Sequence, residues 1–166
     1  MPPLFTTVTD LNAQAGALRV GRHGVIEVVD GRLRHVRLRP FAKIVSLPEV
    51  MFWGDFYHRH WVGDCCRLFY DQVRRQPNYI CLKYVLSGRD TTLGTLRGAL
   101  RVLDEIARIK GTDAVVSEAF NWRISDRLAE RWGWERHKPS RWRRNFIKRF
   151  YGSYPEALEP RSLLGA

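Results

Sequence analysis

The chain has 166 residues, of which 45% are hydrophobic and 12% aromatic, and its net charge is +11. This length is typical of one domain with a hydrophobic core, and a disordered chain would hold fewer apolar and aromatic residues. The sequence has no apolar run of the roughly 18 residues that a transmembrane helix needs, and its first residues lack the pattern of a signal peptide. We therefore expect a cytoplasmic protein with a single domain over residues 1–152 and an irregular tail over residues 153–166.

The cysteine pattern also indicates a reducing, cytoplasmic compartment. Cys65 and Cys66 are adjacent and Cys81 stands apart, which does not make a disulfide framework. His58 and His60 precede the adjacent cysteines, so this stretch contains residue types that bind metals. A structural zinc site usually takes two ligand pairs at defined spacings, and no second pair is present. We expect an aromatic patch with small cysteines packed beside it, and no metal site.

The first half of the chain predicts a β-hairpin. Residues 25–29 read as one strand, Asp30-Gly31 is a strong two-residue turn signal, and residues 32–38 return as the second strand. In a regular second strand, Arg32 and Arg34 would share one face, whereas Arg37 and Arg39 would lie on the other. A bulge near His35 and Val36 would reconcile them.

The segments around this hairpin carry weaker signals. Thr9-Asp10 could cap a short helix that ends near Leu18, and residues 41–47 read as another strand. Residues 64–76 read as a helix with Asp64 as its cap and with Leu68, Phe69 and Val73 in its apolar stripe.

The second half of the chain has stronger signals. Residues 79–86 form a nearly continuous apolar run, typical of a central strand. Residues 92–110 predict a long helix, with Thr91 or Thr92 as its cap, Gly111 as its end and an apolar stripe that includes Leu93, Leu96, Leu100, Leu103 and Ala107. A strand over residues 113–119, a helix over residues 124–132 that stops at Gly133, and a strand or hairpin arm over residues 141–151 follow.

This order of elements, with Asn121 after a strand and Gly133-Trp134 after a short helix, resembles the second half of the GNAT N-acetyltransferase superfamily. The resemblance covers residues 79–151. It implies an α/β fold in a single domain, with a mixed, largely antiparallel central sheet flanked by helices. It also implies acetyl-CoA as cofactor, bound along the edge of the central strand and at the N-terminus of the long helix. The cofactor-binding residues would be Val85, Ser87, Leu93, Gly94, Thr95, Arg97 and Asn121.

The chain departs from the family's pattern at the cofactor loop and at the catalytic acid. The family's loop reads Arg/Gln-x-x-Gly-x-Gly/Ala, whereas here Leu96 stands where a second small residue would follow Gly94, and Asp90 adds a negative charge. The position at which many family members have a catalytic Tyr holds Leu128. Glu118 and Tyr84 are the remaining candidates for acid–base chemistry. Glu118 equally suits a partner for an arginine, and Tyr84 an aromatic residue of the sheet.

Three functions remain open at this point. The first is transfer of an acetyl group from acetyl-CoA to an amine. The second is a non-catalytic GNAT-like module that binds nucleic acid or an acidic protein, because residues 131–155 hold eight Arg or Lys against one acid. Its contacts would be Arg141, Arg143, Arg144, Lys148 and Arg149. The third is a subunit of an oligomer that packs through Trp53, Tyr57 and Trp61.

Overall fold

The computed structural model describes residues 5–41, 62–117, 124–137 and 145–157. Its helices are α1 (Ala15–Val20), α2 (Leu93–Lys110) and α3 (Asp126–Arg131). Its strands are β1 (Thr6–Val8), β2 (His23–Val29), β3 (Arg32–Arg39), β4 (Cys65–Asp71), β5 (Tyr79–Ser87), β6 (Ala114–Ser117), β7 (Glu135–Arg136) and β8 (Phe146–Arg149).

The strands form one eight-stranded sheet in the order β1-β3-β2-β4-β5-β6-β8-β7. Strands β5 and β6 are parallel, and every other neighbouring pair is antiparallel. Parallel neighbours need a crossover connection, which α2 provides. The fold is therefore mixed α/β with a largely antiparallel sheet, as predicted.

Helix α2 packs its apolar stripe on one face of this sheet. Its buried side chains share one core with the inward-facing residues of the strands, among them Ile26, Leu68 and Ile80. Each such leucine or isoleucine contributes about 1.5–3 kcal/mol on burial. Leu93, which was predicted to belong to the stripe, is instead 52% exposed because it lies in the first turn, so the buried stripe begins at Thr95 and Leu96.

Both predicted ends of α2 are confirmed. The Thr92 hydroxyl accepts a hydrogen bond from the Thr95 N–H at 3.2 Å, which is the contact of an N-cap residue. Gly111 ends the helix with a φ of 67°, in the left-handed region that glycine adopts without strain. The N-terminal helix is shorter than predicted, because Asp10 accepts hydrogen bonds from the N–H groups of Asn12 and Ala13 in a turn before α1.

The predicted hairpin is confirmed, and its bulge lies close to the expected position. Glu27 pairs with His35 and Val28 pairs with Leu33, so Arg34 is the extra residue of β3. The bulge brings Arg34 to Glu27, whose carboxylate accepts hydrogen bonds from the guanidinium groups of Arg34 at 2.9 Å and Arg67 at 2.6 Å. The buried Glu27 carboxylate therefore forms ion pairs with two arginines.

The predicted helix over residues 64–76 is wrong, because residues Cys65–Asp71 form strand β4. This strand pairs with β2 on one side and β5 on the other. Cys66, Leu68 and Tyr70 face the core that α2 covers. Phe69 on the opposite face lies 6.0 Å from the ring of Tyr84. Apolar residues on both faces of a central strand imitate the helical spacing that the sequence suggested.

The last elements match the predicted order. β6 and α3 occupy the predicted positions, and β8 lies within the predicted C-terminal strand. Residues 153–157 have no regular secondary structure. The predicted strand over residues 41–47 lies almost wholly outside the described residues, as do residues 118–119 of the predicted strand over residues 113–119.

Candidate functional site

Strand β5 changes its pairing at Lys83. Phe69 pairs with Tyr84 and Tyr70 pairs with Leu82, so Lys83 is an extra residue that makes a bulge. The parallel pairing with β6 covers Tyr79 to Leu82 and reaches Ser117, the last described residue of that strand. Beyond the bulge, β5 continues to Ser87 and leads to the loop before α2.

The N-terminus of α2 follows this strand end, and Asp64 caps it. The Asp64 carboxylate accepts hydrogen bonds from the Thr92 N–H at 2.8 Å, the Thr92 hydroxyl at 2.9 Å and the Thr95 hydroxyl at 2.6 Å. The Thr91 hydroxyl also donates to the carbonyl oxygen of Cys65 at 2.6 Å, which ties the loop to β4. A helix N-terminus attracts anions, and here a carboxylate of the chain already holds that position.

The charge of Asp64 is stabilised in this position. Burial disfavours its ionised form, but the hydrogen bonds from Thr95 and Thr92 outweigh burial and lower the pKa of the carboxyl below its ordinary value. An ionised Asp64 repels a second anion at the Thr92 N–H. Asp64 was predicted to cap a helix, but it caps one that begins 29 residues further along the chain, and no local sequence pattern indicates such a distant partner.

A cavity of about 300 Å³ lies between the flank of α2 and the C-terminal end of α3. Its rim carries four cationic side chains, from Arg97, Arg101, Arg131 and Lys148. Trp132 is half-buried beside them and presents an aromatic surface. This arrangement suits a ligand that combines anionic groups with a flat ring.

Asp104 is the buried carboxylate of this cavity. Its Oδ2 accepts a hydrogen bond from Lys148 Nζ at 2.6 Å, and its Oδ1 has no hydrogen-bond partner within the described part of the chain. Burial raises the pKa of Asp104 to about 6, although Lys148 and Arg101 act in the opposite direction.

The Gly133-Trp134 pair shapes the same cavity. Gly133 has a φ of 82°, and a Cβ at this position would lie 3.2 Å from Cε of Lys148. Trp134 is buried in the core. The glycine therefore allows the chain to turn sharply after α3 and leaves room for the lysine that reaches Asp104.

The predicted cofactor-binding residues occupy two regions around the end of β5. Val85 packs against the core, and Ser87 pairs with Cys66 at the end of β5. Leu93 and Gly94 are exposed in the first turn of α2, the Thr95 side chain is buried on Asp64, and Arg97 lines the flank cavity. Asn121 lies outside the described residues.

The predicted catalytic residues lie only partly within the described structure. Tyr84 lies beside Phe69 on the sheet face opposite α2, and Glu118 lies outside the described residues. Leu128, at the position of the family's tyrosine, is half-buried against the core.

Two of the five predicted polyanion contacts form ion pairs within the fold. Lys148 pairs with Asp104, and Arg149 pairs with Glu135 across neighbouring strands. Arg141, Arg143 and Arg144 lie outside the described residues, as do Trp53, Tyr57 and Trp61 of the predicted oligomer surface.

The described cysteines are free thiols, and burial raises the pKa of Cys66 to about 12. The described residues contain no group of three or more His, Cys, Asp or Glu side chains arranged to hold a metal ion. His58 and His60 of the metal hypothesis lie outside them. No helix in the described ranges is long and apolar enough to cross a membrane.

Comparison with known proteins gives one structural likeness. No protein-family model matches the chain. No curated protein matches its sequence. The solved structure of nourseothricin acetyltransferase is similar to it over 88% of this chain and 98% of that chain, with 11% sequence identity and a TM-score of 0.42.

Proposed function

We propose that this GNAT-like domain transfers an acyl group from an acyl-CoA to an amine. One observation carries the proposal: β5 has a bulge at Lys83 and leads through a short loop to α2, whose flank cavity is lined by four cationic side chains. In this proposal, the part of β5 that follows the bulge offers N–H and C=O groups to an extended, amide-containing arm. When bound, an acyl-CoA would supply an activated thioester carbonyl.

For the pantetheine arm, the proposed binding mode is the one that the family resemblance implies. For the pyrophosphate, it is different. The edge of β5 fits the pantetheine arm. The N-terminus of α2 does not fit the pyrophosphate, because Asp64 occupies the Thr92 N–H and both threonine hydroxyls. The flank cavity fits the nucleotide end, with Arg97, Arg101 and Arg131 available to phosphate oxygens.

The remaining groups of the flank cavity support this assignment. Trp132 could stack on the adenine ring. In this proposal, the chain's own residues bind and orient the cofactor mainly through guanidinium groups. The backbone loop, which lacks the family's glycine spacing, contributes less.

Calorimetric titration with acetyl-CoA tests the binding, and thiol release in the presence of an amine panel tests the reaction. We expect saturable binding below about 1 mM, with pantetheine alone binding at least about tenfold more weakly. If acetyl-CoA does not bind at millimolar concentration, the proposed acyl transfer is wrong, while the description of the fold is unaffected.

A second candidate is binding of a polyanion by a non-catalytic module. The observation in its favour is that three described cavities, on both faces of the sheet, are each lined by at least three Arg or Lys side chains. Binding to an RNA or DNA oligonucleotide should then weaken linearly with the logarithm of salt concentration. If charge reversal at Arg141, Arg143 and Arg144 leaves both affinity and salt slope unchanged, this candidate fails for that surface.

A further inference from the structure

A cavity of about 650 Å³ lies beside the ends of β2 and β4, and His23, Asp71 and Lys83 line it. His23 and Asp71 are direct partners in the register of β2 and β4. Their neighbours Gly24 and Tyr70 face the core that α2 covers, so alternation places His23 and Asp71 on the opposite face. This cavity and the flank cavity therefore lie on different sides of the sheet.

His23 and Asp71 form a hydrogen-bonded pair. Nδ1 of His23 lies 2.9 Å from Oδ1 of Asp71. An ionised carboxylate only accepts hydrogen bonds, so Nδ1 carries the hydrogen and Nε2 keeps its lone pair in the neutral ring. No described residue bonds Nε2, and the His23 side chain is 21% exposed. Nε2 is thus a proton acceptor that a ligand in the cavity can reach.

Hydrogen bonds of the neighbouring residues hold His23 and Asp71 in position. The Gln72 N–H donates to the carbonyl oxygen of Arg22 at 2.8 Å, which joins the residue after Asp71 to the residue before His23. Lys110, at the end of α2, donates to the carbonyl oxygen of Gly21 at 2.6 Å and to Oε1 of Gln72 at 3.0 Å. A proton acceptor needs such support, since small displacements lower its efficiency.

The lining of this cavity is mainly cationic, so it favours a ligand with a negatively charged group. Arg22, Arg74 and Lys83 line it, against Asp71 as the carboxylate among its described lining residues. All three cationic side chains belong to exposed residues, so they are available to a ligand. Lys83 is the bulged residue of β5. The cavity thus meets β5 at the position where the proposed acyl-CoA arm would end.

We infer that His23 is the general base of this domain and that the acceptor is a small primary amine carrying a carboxylate. In this step an N–H bond of the substrate ammonium breaks, the proton moves to Nε2 of His23, and the electron pair stays on the amine nitrogen. Asp71 is a positioning residue that fixes the ring, and Arg22 and Arg74 bind the carboxylate. The inference rests on the proposed acyl transfer.

The binding half of the inference can be tested without turnover. The imidazole resonances of His23 are followed by NMR during titration with L-glutamate, with n-propylamine as the probe that lacks a carboxylate. We expect a saturable shift with glutamate alone. The double variant Arg22→Glu/Arg74→Glu should weaken it at least about tenfold, whereas the control Arg32→Glu/Arg127→Glu should not. Equal shifts with both probes, or no shift at about 50 mM glutamate, would overturn the inference.

The chemical half uses acetyl-CoA and glutamate. His23→Gln should lower kcat by about 10²–10⁴ while acetyl-CoA binds as in the wild type, and Asp71→Asn should change the tautomer ratio of His23 seen in its ¹⁵N shifts. Circular dichroism and His23→Asn check that the loss is not unfolding. If acetyl-CoA binds but His23→Gln turns over at the wild-type rate, or bound glutamate is not acetylated, the inference fails. If acetyl-CoA does not bind, the proposed acyl transfer fails, and the glutamate titration still decides whether the site binds its ligand.

Discussion

Two carboxylates mark two regions of helix α2 and behave in opposite ways. At the N-terminal end, Asp64 accepts three hydrogen bonds, and its pKa is lowered. On the flank, Asp104 is buried with one oxygen on Lys148 and the other unpartnered within the described chain, and its pKa is raised to about 6. A carboxylate of the chain therefore already stands at the end of the helix, whereas the flank carries the guanidinium groups of Arg97, Arg101 and Arg131, for which no ion pair is seen within the described chain.

This difference indicates where an anion could bind. A helix N-terminus attracts phosphate through its N–H groups and its dipole, but the ionised Asp64 carboxylate, bonded to the Thr92 N–H and to two threonine hydroxyls, repels phosphate there. Arginine side chains recognise phosphate without glycines in the backbone. In our account, anion recognition has moved from the end of α2 to its flank.

The largest expected effect comes from reversing charge on the flank. In the double variant Arg97→Glu/Arg101→Glu, the affinity for acetyl-CoA should fall at least about 100-fold, because a hydrogen bond to a charged group contributes about 1.5–3 kcal/mol. Calorimetric titration measures this change. The control Arg32→Glu/Arg75→Glu makes the same change of net charge at exposed positions and should bind within about threefold of the wild type. Similar losses in both variants would mean that overall charge, and not the flank, determines binding.

The two carboxylates should also give opposite dependences of stability on pH. The raised pKa of Asp104 means that its contribution to folding is fully present below its unfolded pKa and is lost as pH rises through about 6, on the order of 2 kcal/mol. The lowered pKa of Asp64 means that its contribution is present above its unfolded pKa and is lost as pH falls through the folded value. Denaturant unfolding from pH 3 to pH 8 measures both.

The variants that separate these contributions are Asp104→Asn and Asp64→Asn. Each should remove the pH dependence of its own carboxylate and leave that of the other. If Asp104→Asn leaves the slope between about pH 4 and pH 6 unchanged, the flank carboxylate is not the buried acid that we describe.

The glycines of the two regions should respond differently to alanine. Gly133→Ala, on the flank, places a Cβ at positive φ and 3.2 Å from Lys148, so we expect a loss of about 1–2 kcal/mol in the free energy of unfolding. Gly94→Ala, at the end of α2, would meet Thr92 Oγ1 at an ordinary 3.6 Å and should be neutral or slightly stabilising. Equal losses would contradict the distinction between a shaped flank and a regular helix end.

The smallest expected effect is that of removing the cap. Asp64→Asn should lower the free energy of unfolding by about 1 kcal/mol, because the helix keeps some hydrogen bonding at its N-terminus but loses the charge. Affinity for acetyl-CoA should rise roughly threefold, since a nearby negative charge is gone. Thermal unfolding and calorimetry give the two values. A loss of affinity would mean that Asp64 supports the cofactor site.

Local signals in the sequence predicted α2, β5 and the hairpin of β2 and β3, because periodicity, caps and turn residues determine these elements over short distances. They failed at β4, where apolar residues on both faces of a central strand imitate a helix. They also missed the tertiary contacts of the candidate sites. Asp64 reaches Thr92, and His23 reaches Asp71, only through the register of the sheet and the return of α2. A single sequence does not encode such distant pairs in a readable pattern.

The central claim is that an acyl-CoA lies along the end of β5 and the flank of α2. Amide chemical-shift mapping of the ¹⁵N-labelled protein with acetyl-CoA tests it most directly. We predict the largest shifts over residues 83–87 and 97–101 and at Trp132, with smaller shifts at Thr92 and Thr95, whose groups stay on Asp64. Shifts concentrated at Thr92 to Thr95, with residues 97–101 unaffected, would contradict it.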